Sequence, residues 1–383
     1  MRRSQMDIIA KDLEKKMVLL TGPRQVGKTW IAKNILGNFR RTIYLNWDEA
    51  GDRTRIREKR WANGTELVVF DELHKMPKWK NYLKGLYDTK PDGLRILVTG
   101  SAKLNAFRKA GDSLAGRFFL HHILPFSLAE LSAIEKQTKE TLHKHFTTLL
   151  SRGGFPEPFL GDDADAVRWR ARYAESLIRI DTLDFASIED ARAMQNIFTL
   201  LRENVGSPLS YSSLARDLGI APNTAKRYVN ILEELHIIFI IRPYTKKIAR
   251  AILKEPKAYF FDTGMVTSSE GARFENLVAV EVKKELLRRS DETGIEWSLN
   301  YIRTKEGKES DFVLVREHTP ITFIEAKLSD RQPAKQLIYF VQKYNVPGVQ
   351  IVANTQHDAL QYENVQVVSA TSFLSEIQAY ENI

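Results

Sequence analysis

Eight consecutive residues near the start of the chain have the pattern of a phosphate-binding loop. They are Gly22, Pro23, Arg24, Gln25, Val26, Gly27, Lys28 and Thr29, and they fit G-x-x-x-x-G-K-[ST]. In such a loop the backbone amides wrap around phosphate oxygens, the lysine reaches the β- and γ-phosphates, and the hydroxyl holds Mg²⁺. Gly22 and Gly27 permit backbone angles at which a Cβ atom would clash. The loop therefore predicts a nucleotide-binding site, and we include the following residue, Trp30, among its contacts.

Two acidic residues farther along the chain could complete a site for phosphoryl transfer. Asp71 and Glu72 directly follow the apolar run 67–70. We predict that Asp71 holds Mg²⁺ through water and that Glu72 is the catalytic residue that orients the attacking water. The alternative is that both carboxylates only cap a helix that begins near Pro77.

A hydroxyl group follows the next apolar run. Ser101 comes shortly after residues 96–98, at the end of another predicted buried strand. There it could contact the γ-phosphate or the attacking water, so we name it as a candidate catalytic residue. Capping the amino end of a helix is the alternative.

The elements that must position these groups are short apolar runs. Runs of this length are typical of strands buried in a parallel sheet. The run 17–21 precedes the phosphate loop, and a helix is predicted behind the loop over 30–36. This order predicts an α/β fold in which the helix adds its positive amino end to the phosphate site.

The order of these motifs resembles that of AAA+-type P-loop ATPases of bacteria and archaea that carry a C-terminal domain of unknown function. The matching phrases are the phosphate loop, Asp-Glu at 71–72, Thr-Gly-Ser at 99–101, Leu-Ala-Gly-Arg at 114–117 and Leu-Pro-Phe-Ser at 124–127. The resemblance implies ATP as the nucleotide. It also implies a sheet in which the strand before Ser101 lies between the strands that precede the phosphate loop and Glu72.

The same resemblance gives a role to Arg117. It implies that Arg117 is an arginine finger, a catalytic residue supplied between the ATPase domains of a homo-oligomer. In its own sequence context, an arginine that is solvated or ion-paired is the alternative.

The composition limits the possible functions. The 383 residues suggest two or three domains, and 43% hydrophobic residues are enough for packed cores. The absence of cysteine excludes disulfides, thiolate metal sites and cysteine nucleophiles. No apolar stretch approaches the roughly 18 residues of a membrane span, and no signal-peptide core follows the first residues. We therefore expect a cytoplasmic protein with no membrane partner. The net charge of +9 favours a polyanion such as DNA, although an ordinary basic protein would share it.

A helix-turn-helix pattern follows a helical stretch at 135–205. Residues 210–220 predict a serine-capped helix that ends at a glycine turn, and a second helix follows up to 235. Residues near the start of that second helix could meet base edges or phosphates. Strands are predicted at 237–241 and 257–261. The loop between them carries Arg242, Lys246, Lys247, Arg250 and Lys254. The pattern indicates a winged helix with a basic wing for DNA, and a solvated loop on a protein-binding domain is the alternative.

A second group of charged residues lies in the last segment. Asp311 begins one predicted strand, and Glu325 and Lys327 end the next. Because side chains alternate between the faces of a strand, Glu325 and Lys327 point the same way. If the two strands are neighbours, both carboxylates and the ammonium converge. They could then hold Mg²⁺, with the lysine placed to stabilise negative charge. Glu275, on a helix predicted over 273–288, is the third candidate metal ligand.

The order of these residues resembles the PD-(D/E)XK nuclease core of restriction enzymes and Holliday-junction resolvases. A helical glutamate is followed by the aspartate and by Glu-x-Lys, with fourteen positions from Asp311 to Glu325. No proline precedes Asp311, which departs from the pattern. The resemblance implies that Asp311, Glu325 and Lys327 are catalytic. A cluster that binds without cutting, or that only pairs two strands, is the alternative.

The motifs together predict four regions. They are a P-loop ATPase domain at 1–134, a helical connector at 135–205, a winged helix at 206–270 and a small α/β nuclease-like domain at 271–383. The predicted function is that of a Mg²⁺-dependent ATPase acting on DNA, branched and single-stranded forms included. ATP binding and oligomer assembly would control the other regions. The alternative is a nucleotide switch whose C-terminal domains hold a protein partner and cut nothing.

Overall fold

The structure divides the chain into two compact units. They are Met1–Leu124 and Pro125–Ile383, so the division falls before the predicted domain end at residue 134. The computed structural model describes residues 3–100, 114–134, 138–177, 190–245, 255–329, 332–355 and 360–380. Within these ranges, no helix combines the length and the apolar character needed to cross a membrane.

The first unit is built around a parallel sheet. Its strands are β1 (Met17–Thr21), β2 (Thr42–Asn46), β3 (Leu67–Asp71), β4 (Arg95–Thr99) and β5 (Phe118–His122). The helices described with them are α1 (Met6–Leu13), α2 (Lys28–Leu36), α3 (Ala50–Glu58) and α4 (Trp79–Thr89). Over the described residues, the strand order is β2-β3-β4-β1-β5 and every pairing is parallel. This sheet confirms the predicted α/β fold class, with β4 between β1 and β3 as the resemblance implied.

The centre of this sheet is buried because β1, β3 and β4 consist mainly of apolar residues. Every residue of β1 and β3 is buried, which is the pattern of parallel strands covered by helices on both faces. Leu19, Val68 and Phe70 belong to one core cluster with Leu83 and Leu86 of α4. This packing fixes the strand ends at which the predicted nucleotide residues lie.

The second unit begins with helices, as predicted for 135–205. They are α5 (Leu128–Ser132), α6 (Lys139–Arg152), α7 (Pro156–Leu160), α8 (Asp163–Ser176) and α9 (Ala191–Glu203). The ring of Phe155 lies 5.2 Å from that of Trp169 and 5.3 Å from that of Tyr173, measured between centroids. These aromatic contacts hold the turn before α7 against α8.

Two helices and a hairpin come next. α10 (Tyr211–Leu218) and α11 (Pro222–Glu234) are joined by a turn in which Gly219 has a φ of 66°. β6 (Ile238–Pro243) then pairs antiparallel with β7 (Lys257–Phe260). These elements fall where the sequence predicted them. The predicted wing residues Lys246, Lys247, Arg250 and Lys254 lie outside the described residues.

The C-terminal region adds a long helix and the rest of a large sheet. Its helices are α12 (Glu270–Thr293), α13 (Lys335–Tyr344) and α14 (Ala370–Ser375). Its strands are β8 (Trp297–Arg303), β9 (Glu309–Arg316), β10 (Thr319–Lys327), β11 (Gly348–Val352), β12 (Leu360–Tyr362) and β13 (Val365–Ser369). In the part of the chain that is described, eight strands are ordered β12-β13-β11-β10-β9-β8-β6-β7. Because β6 pairs with β8, the hairpin and the C-terminal strands share one sheet, although the sequence predicted separate domains.

Candidate functional site

The predicted phosphate loop connects the carboxyl end of β1 to the amino end of α2. Gly22 has a φ of 136°, and a Cβ atom on it would lie 2.0 Å from the carbonyl oxygen of Ile123. Gly27 has a φ of 92° and precedes the first residue of α2. Both glycines are therefore required by backbone conformation, and Gly22 also by its close approach to the segment after β5.

Lys28 is buried in this loop. Its Nζ donates hydrogen bonds to the carbonyl oxygens of Gly22, at 2.9 Å, and Pro23, at 2.5 Å. Burial lowers the pKa of Lys28 to about 8, and the negative charges of Glu72 and Asp71 oppose this change. The ammonium is thus held where phosphate oxygens could replace the two carbonyls.

Asp71, at the end of β3, accepts hydrogen bonds from hydroxyl groups on three elements. The Thr29 Oγ1 donates to its Oδ2 at 2.9 Å, and the hydroxyls of Tyr44 and Thr99 donate to its two oxygens. Asp71 and Thr99 are opposite each other in the β3–β4 register. Burial and the contact with Asp71 raise the pKa of Tyr44. The structure therefore brings together the hydroxyl and carboxylate predicted to hold Mg²⁺, and adds Tyr44 and Thr99, which the sequence analysis did not name as site residues.

Glu72 follows Asp71 in a left-handed conformation, with a φ of 56°. Its Oε2 lies 3.5 Å from the Nζ of Lys75 and 3.7 Å from the Nε2 of His74. Burial is the main reason that its pKa is raised. The residue lines an open cavity of about 480 Å³. The other lining residues are Arg24, Gln25, Gly27, Lys28, Thr29, Trp30, Asp48 and Lys75. Glu72 thus shares one cavity with the phosphate loop and the exposed indole of Trp30.

Arg3 is a further residue that contacts the phosphate loop. Its guanidinium is buried and donates to the carbonyl of Val26 at 2.7 Å and to that of Leu124 at 2.5 Å. Nothing in its sequence position near the amino terminus pointed to this contact. Arg3 fastens the loop to the end of the first unit.

Arg117 lies at the end of the sheet where the parallel strands begin, opposite to the end that carries the phosphate loop. It immediately precedes β5, whose first residue pairs with Met17, the first residue of the parallel strand β1. The phosphate loop follows the last residue of β1, about 16 Å away along a strand of this length. The Nε and Nη2 of Arg117 bind the two carboxylate oxygens of Asp88 at 2.8 and 3.1 Å. Arg117 is therefore ion-paired and remote from the phosphate loop of its own chain. The other candidate catalytic residue named with it, Ser101, lies outside the described residues.

The second unit brings Asp311, Glu325 and Lys327 together. β9 and β10 are antiparallel neighbours, and Asp311 and Glu325 follow the paired residues Phe312 and Ile324 at the end of their register. The backbone N–H of Asp311 donates to the Oε2 of Glu325 at 3.4 Å, and that of Ala326 donates to the Oδ2 of Asp311 at 2.9 Å. Lys327 Nζ lies 2.8 Å from Glu325 Oε1. Burial and the charge of Asp311 raise the pKa of Glu325 to about 7.

Glu275 reaches the same cluster from α12, but it has other partners. The hydroxyl of Tyr259 donates to its Oε1 at 2.6 Å, and the Nζ of Lys257 lies 3.7 Å from that oxygen. Lys257 also binds Glu309 at 2.5 Å. Burial and repulsion by Asp311 raise the pKa of Glu275 to about 8.

The donor geometry for a metal is partial. Within the described ranges, no three His, Cys, Asp or Glu side chains are arranged so that they could hold a metal ion. Asp311 and Glu325 are adjacent, and one or two carboxylates with water and phosphate ligands are enough for Mg²⁺. The donor set therefore fits a metal through two carboxylates, and the assignment of Glu275 as a ligand stays a prediction.

Comparison with known proteins divides the chain into three parts. Residues 14–132 match the family model of an AAA domain. This part of the chain has the fold of an AAA-type P-loop ATPase. After the AAA domain, residues 143–275 and 270–373 match two families described as domains of unknown function, DUF8612 and DUF4143. The AAA domain implies that a nucleotide is bound together with a divalent metal.

Two uncharacterized proteins are similar in sequence to most of this chain. The chain is 26% identical over 325 residues to an uncharacterized protein of Mycobacterium tuberculosis. The aligned region covers 80% of this chain and 69% of the relative. It is 24% identical over 413 residues to an uncharacterized protein of Methanocaldococcus jannaschii, with coverages of 89% and 81%.

Two solved structures are similar to the chain at low identity. One is a Walker-type ATPase of Pyrococcus abyssi, with a TM-score of 0.44, 17% identity, and coverage of 70% of this chain and 95% of that chain. The other is the ORC1 protein of Aeropyrum pernix in complex with DNA, with a TM-score of 0.37, 11% identity and coverages of 73% and 93%. Neither likeness assigns a function to this chain.

Proposed function

We propose that this protein is a Mg²⁺-dependent ATPase that acts on DNA. The observation that carries the ATPase proposal is the 2.9 Å hydrogen bond from Thr29 to Asp71, next to the buried Lys28. A hydroxyl and a carboxylate beside a phosphate loop are the groups with which P-loop ATPases hold Mg²⁺. When bound there, the metal would neutralise charge on the β- and γ-phosphate oxygens.

Nucleotide binding rests on the loop and on Lys28. The loop amides and the amino end of α2 attract the phosphate oxygens. Lys28 exchanges the carbonyls of Gly22 and Pro23 for oxygens of the β- and γ-phosphates. Because the buried ammonium has acceptors before and after this exchange, binding leaves no unpaired charge.

Hydrolysis rests on Glu72, which lines the same cavity as the loop. Its carboxylate accepts a hydrogen bond from the attacking water and orients the water oxygen toward the γ-phosphorus. The bond from water to phosphorus forms as the bond from phosphorus to the bridging oxygen breaks, ADP leaves with the electron pair of that bond, and the proton of the water remains with the released phosphate. Arg117 of a neighbouring copy would stabilise the charge of this transition state, since the arginine lies far from the loop of its own chain.

Two substitutions separate binding from turnover. Lys28→Ala should abolish tight ATP binding, because it removes the cation that contacts the ground-state phosphates. Glu72→Gln should keep ATP binding and lose turnover, because only the orientation of water is affected. Titration with a fluorescent ATP analogue and phosphate release measure the two effects.

A matched control is Glu58→Gln, which changes an exposed glutamate of α3 in the same unit. It should bind and hydrolyse ATP like the unmodified protein. Equal loss of nucleotide binding in the Lys28 and Glu72 variants would remove Glu72 from its assigned role.

Three observations support DNA as the partner. The net charge is +9. α10 and α11 follow each other in the order of a helix-turn-helix, and Asn223, Lys226 and Asn230 are exposed on α11. In a winged helix the second of these helices enters the major groove, and cations of the wing contact phosphates. Binding of a protein partner by the same surface is the competing function.

Metal-dependent cutting of DNA is a second candidate activity. It is favoured by the position of Asp311 beside Glu325, with Lys327 at 2.8 Å from that glutamate. The two carboxylates would hold the metal that activates water, and the lysine would stabilise the charge that develops on phosphate. We expect nicking or cutting of a branched or single-stranded DNA in Mg²⁺ or Mn²⁺.

The test uses three single variants. Asp311→Ala, Glu325→Ala and Lys327→Ala should each abolish cutting, while DNA binding stays within a few fold. If the unmodified protein cuts no form of DNA with either metal, with or without ATP, and the substitutions lower its stability instead, the cluster is structural.

A further inference from the structure

Lys257 is a deeply buried charged residue beside the carboxylate cluster, which is formed by Asp311, Glu325 and Glu275. It begins β7, and only 1% of its surface is exposed. Its Nζ lies 2.5 Å from Glu309 and 3.7 Å from Glu275, and 5.1 Å from the centre of the Tyr301 ring. Carboxylates from α12 and β9 thus meet one ammonium that is supplied by the hairpin strand.

A buried ammonium requires partners of opposite charge, and buried carboxylates require a cation or a proton. Lys257 meets both needs at once for Glu309 and Glu275. In a metal site, that place between two carboxylates is taken by the metal ion.

Glu275 is also held in place by contacts with residues other than Lys257. Its Oε1 accepts the hydroxyl of Tyr259 at 2.6 Å. A Cβ atom on Gly206 would lie 2.7 Å from that same oxygen, so the backbone at Gly206 packs directly against the carboxylate. To bind a metal together with Asp311 and Glu325, this glutamate would have to give up its attraction to Lys257.

We propose that Lys257 is a resident cation that keeps Glu275 from binding a divalent metal. Asp311 and Glu325 then remain as the only carboxylates of the described cluster that hold the metal, and they hold it weakly. The inference rests on the metal site proposed above for Asp311 and Glu325. It assigns control of that site to β7, a strand outside the Asp311–Lys327 strand pair.

The inference is tested by Mn²⁺ binding to the full chain without nucleotide, measured by electron paramagnetic resonance of free Mn²⁺. Lys257→Met keeps an unbranched side chain of nearly the same length and removes its charge. It should bind Mn²⁺ at least tenfold more tightly than the unmodified protein, because Glu275 becomes available. Adding Glu275→Gln to Lys257→Met should remove that gain.

A matched control is Lys284→Met. Lys284 is also a buried lysine, 2.6 Å from Glu130, and its loss should leave Mn²⁺ affinity unchanged. Glu275→Gln alone should change the affinity by less than twofold, because Glu275 is not a ligand while Lys257 is present. If Lys257→Met does not fold, Lys257→Gln replaces it, since its amide can still donate to Glu309.

The outcomes distinguish two failures. Mn²⁺ binding that is no tighter in the Lys257 variant, or a fivefold loss from Glu275→Gln alone, overturns the role of Lys257. Mn²⁺ binding whose stoichiometry and affinity are unchanged by Glu325→Gln, or no binding in any variant, overturns the metal site on which the inference rests. Neither result bears on ATP hydrolysis, which is measured separately.

Discussion

At the scale of single residues, nucleotide binding depends most on Lys28. Its buried ammonium binds the carbonyls of its own loop, and burial lowers its pKa to about 8. Phosphate oxygens near an ammonium favour its charged form and raise the pKa again. The binding of ATP and the protonation of Lys28 are therefore linked.

This linkage predicts a pH dependence with a definite sign. Below pH 8, Lys28 is already charged in the free protein, and ATP affinity should be nearly constant. Above pH 8 the free protein loses the proton and must regain it on binding, so affinity should fall by up to about tenfold per pH unit. Calorimetry at pH 9 in buffers of different ionisation enthalpy should show uptake of up to one proton.

The control for this effect is Lys33→Ala, which removes an exposed lysine of the same helix. It should retain the pH dependence. A constant affinity from pH 7.5 to 9.5, with no proton uptake, would show that Lys28 stays charged in the free protein.

The residues around Asp71 show how far single positions could be read from sequence. Thr29 and Asp71 were predicted because each belongs to a motif that ends a strand or opens a helix. Tyr44 and Thr99 were not assigned, because their contact with Asp71 depends on β2 and β4 lying on either side of β3. Strand order is a property of the folded sheet, and the sequence of a single strand does not show which strands lie next to it.

At the scale of elements, the direction of β5 decides what Arg117 can do. Parallel strands all begin at the same end of a sheet and all finish at the opposite end. Arg117 precedes β5, and the phosphate loop follows β1, so the two lie at opposite ends of the strands. The arginine can serve a nucleotide only on another copy of the chain, and it would have to leave Asp88 to do so.

This placement predicts the behaviour of mixed oligomers. Arg117→Ala should bind ATP normally and lose about 10³- to 10⁵-fold in turnover, the range for a missing arginine finger. Mixing it with Glu72→Gln should restore some phosphate release, because a mixed interface can combine an intact arginine with an intact glutamate. Steady-state phosphate release at several mixing ratios measures this.

The control here is Asp88→Asn, which releases Arg117 without removing it and should not lower turnover. The Arg117–Asp88 pair lies at the surface, so its loss should change the stability of the protein very little. An Arg117→Ala protein that hydrolyses ATP at the unmodified rate would contradict the assignment.

Elements were predicted more successfully than their pairings. α11 and β10 lie where their apolar residues predicted a helix and a strand, because the buried parts of such elements must be apolar. The pairing of β6 with β8 was not predicted, since it joins strands separated by more than fifty residues. For the same reason, Lys257 was taken as the start of a strand, and its buried contacts with Glu309 and Glu275 were missed.

At the scale of the whole molecule, an AAA domain is followed by a large unit that carries the helices α10 and α11 and the cluster of Asp311, Glu325 and Glu275. Each proposed site favours a phosphate-bearing ligand: ATP at the loop, and DNA at α11 and the Asp311–Glu325 pair. We propose that these activities are coupled, so that DNA alters the rate of ATP hydrolysis.

The most direct test is the rate of ATP hydrolysis by the full chain in Mg²⁺, with and without duplex, single-stranded and branched DNA. Lys28→Ala, measured in parallel, corrects for contaminating ATPases. We expect that at least one form of DNA raises the rate several-fold and that Lys28→Ala shows no DNA-stimulated hydrolysis. A protein that hydrolyses ATP at the same rate with all three forms of DNA would contradict this expectation and favour a nucleotide switch that holds a protein partner.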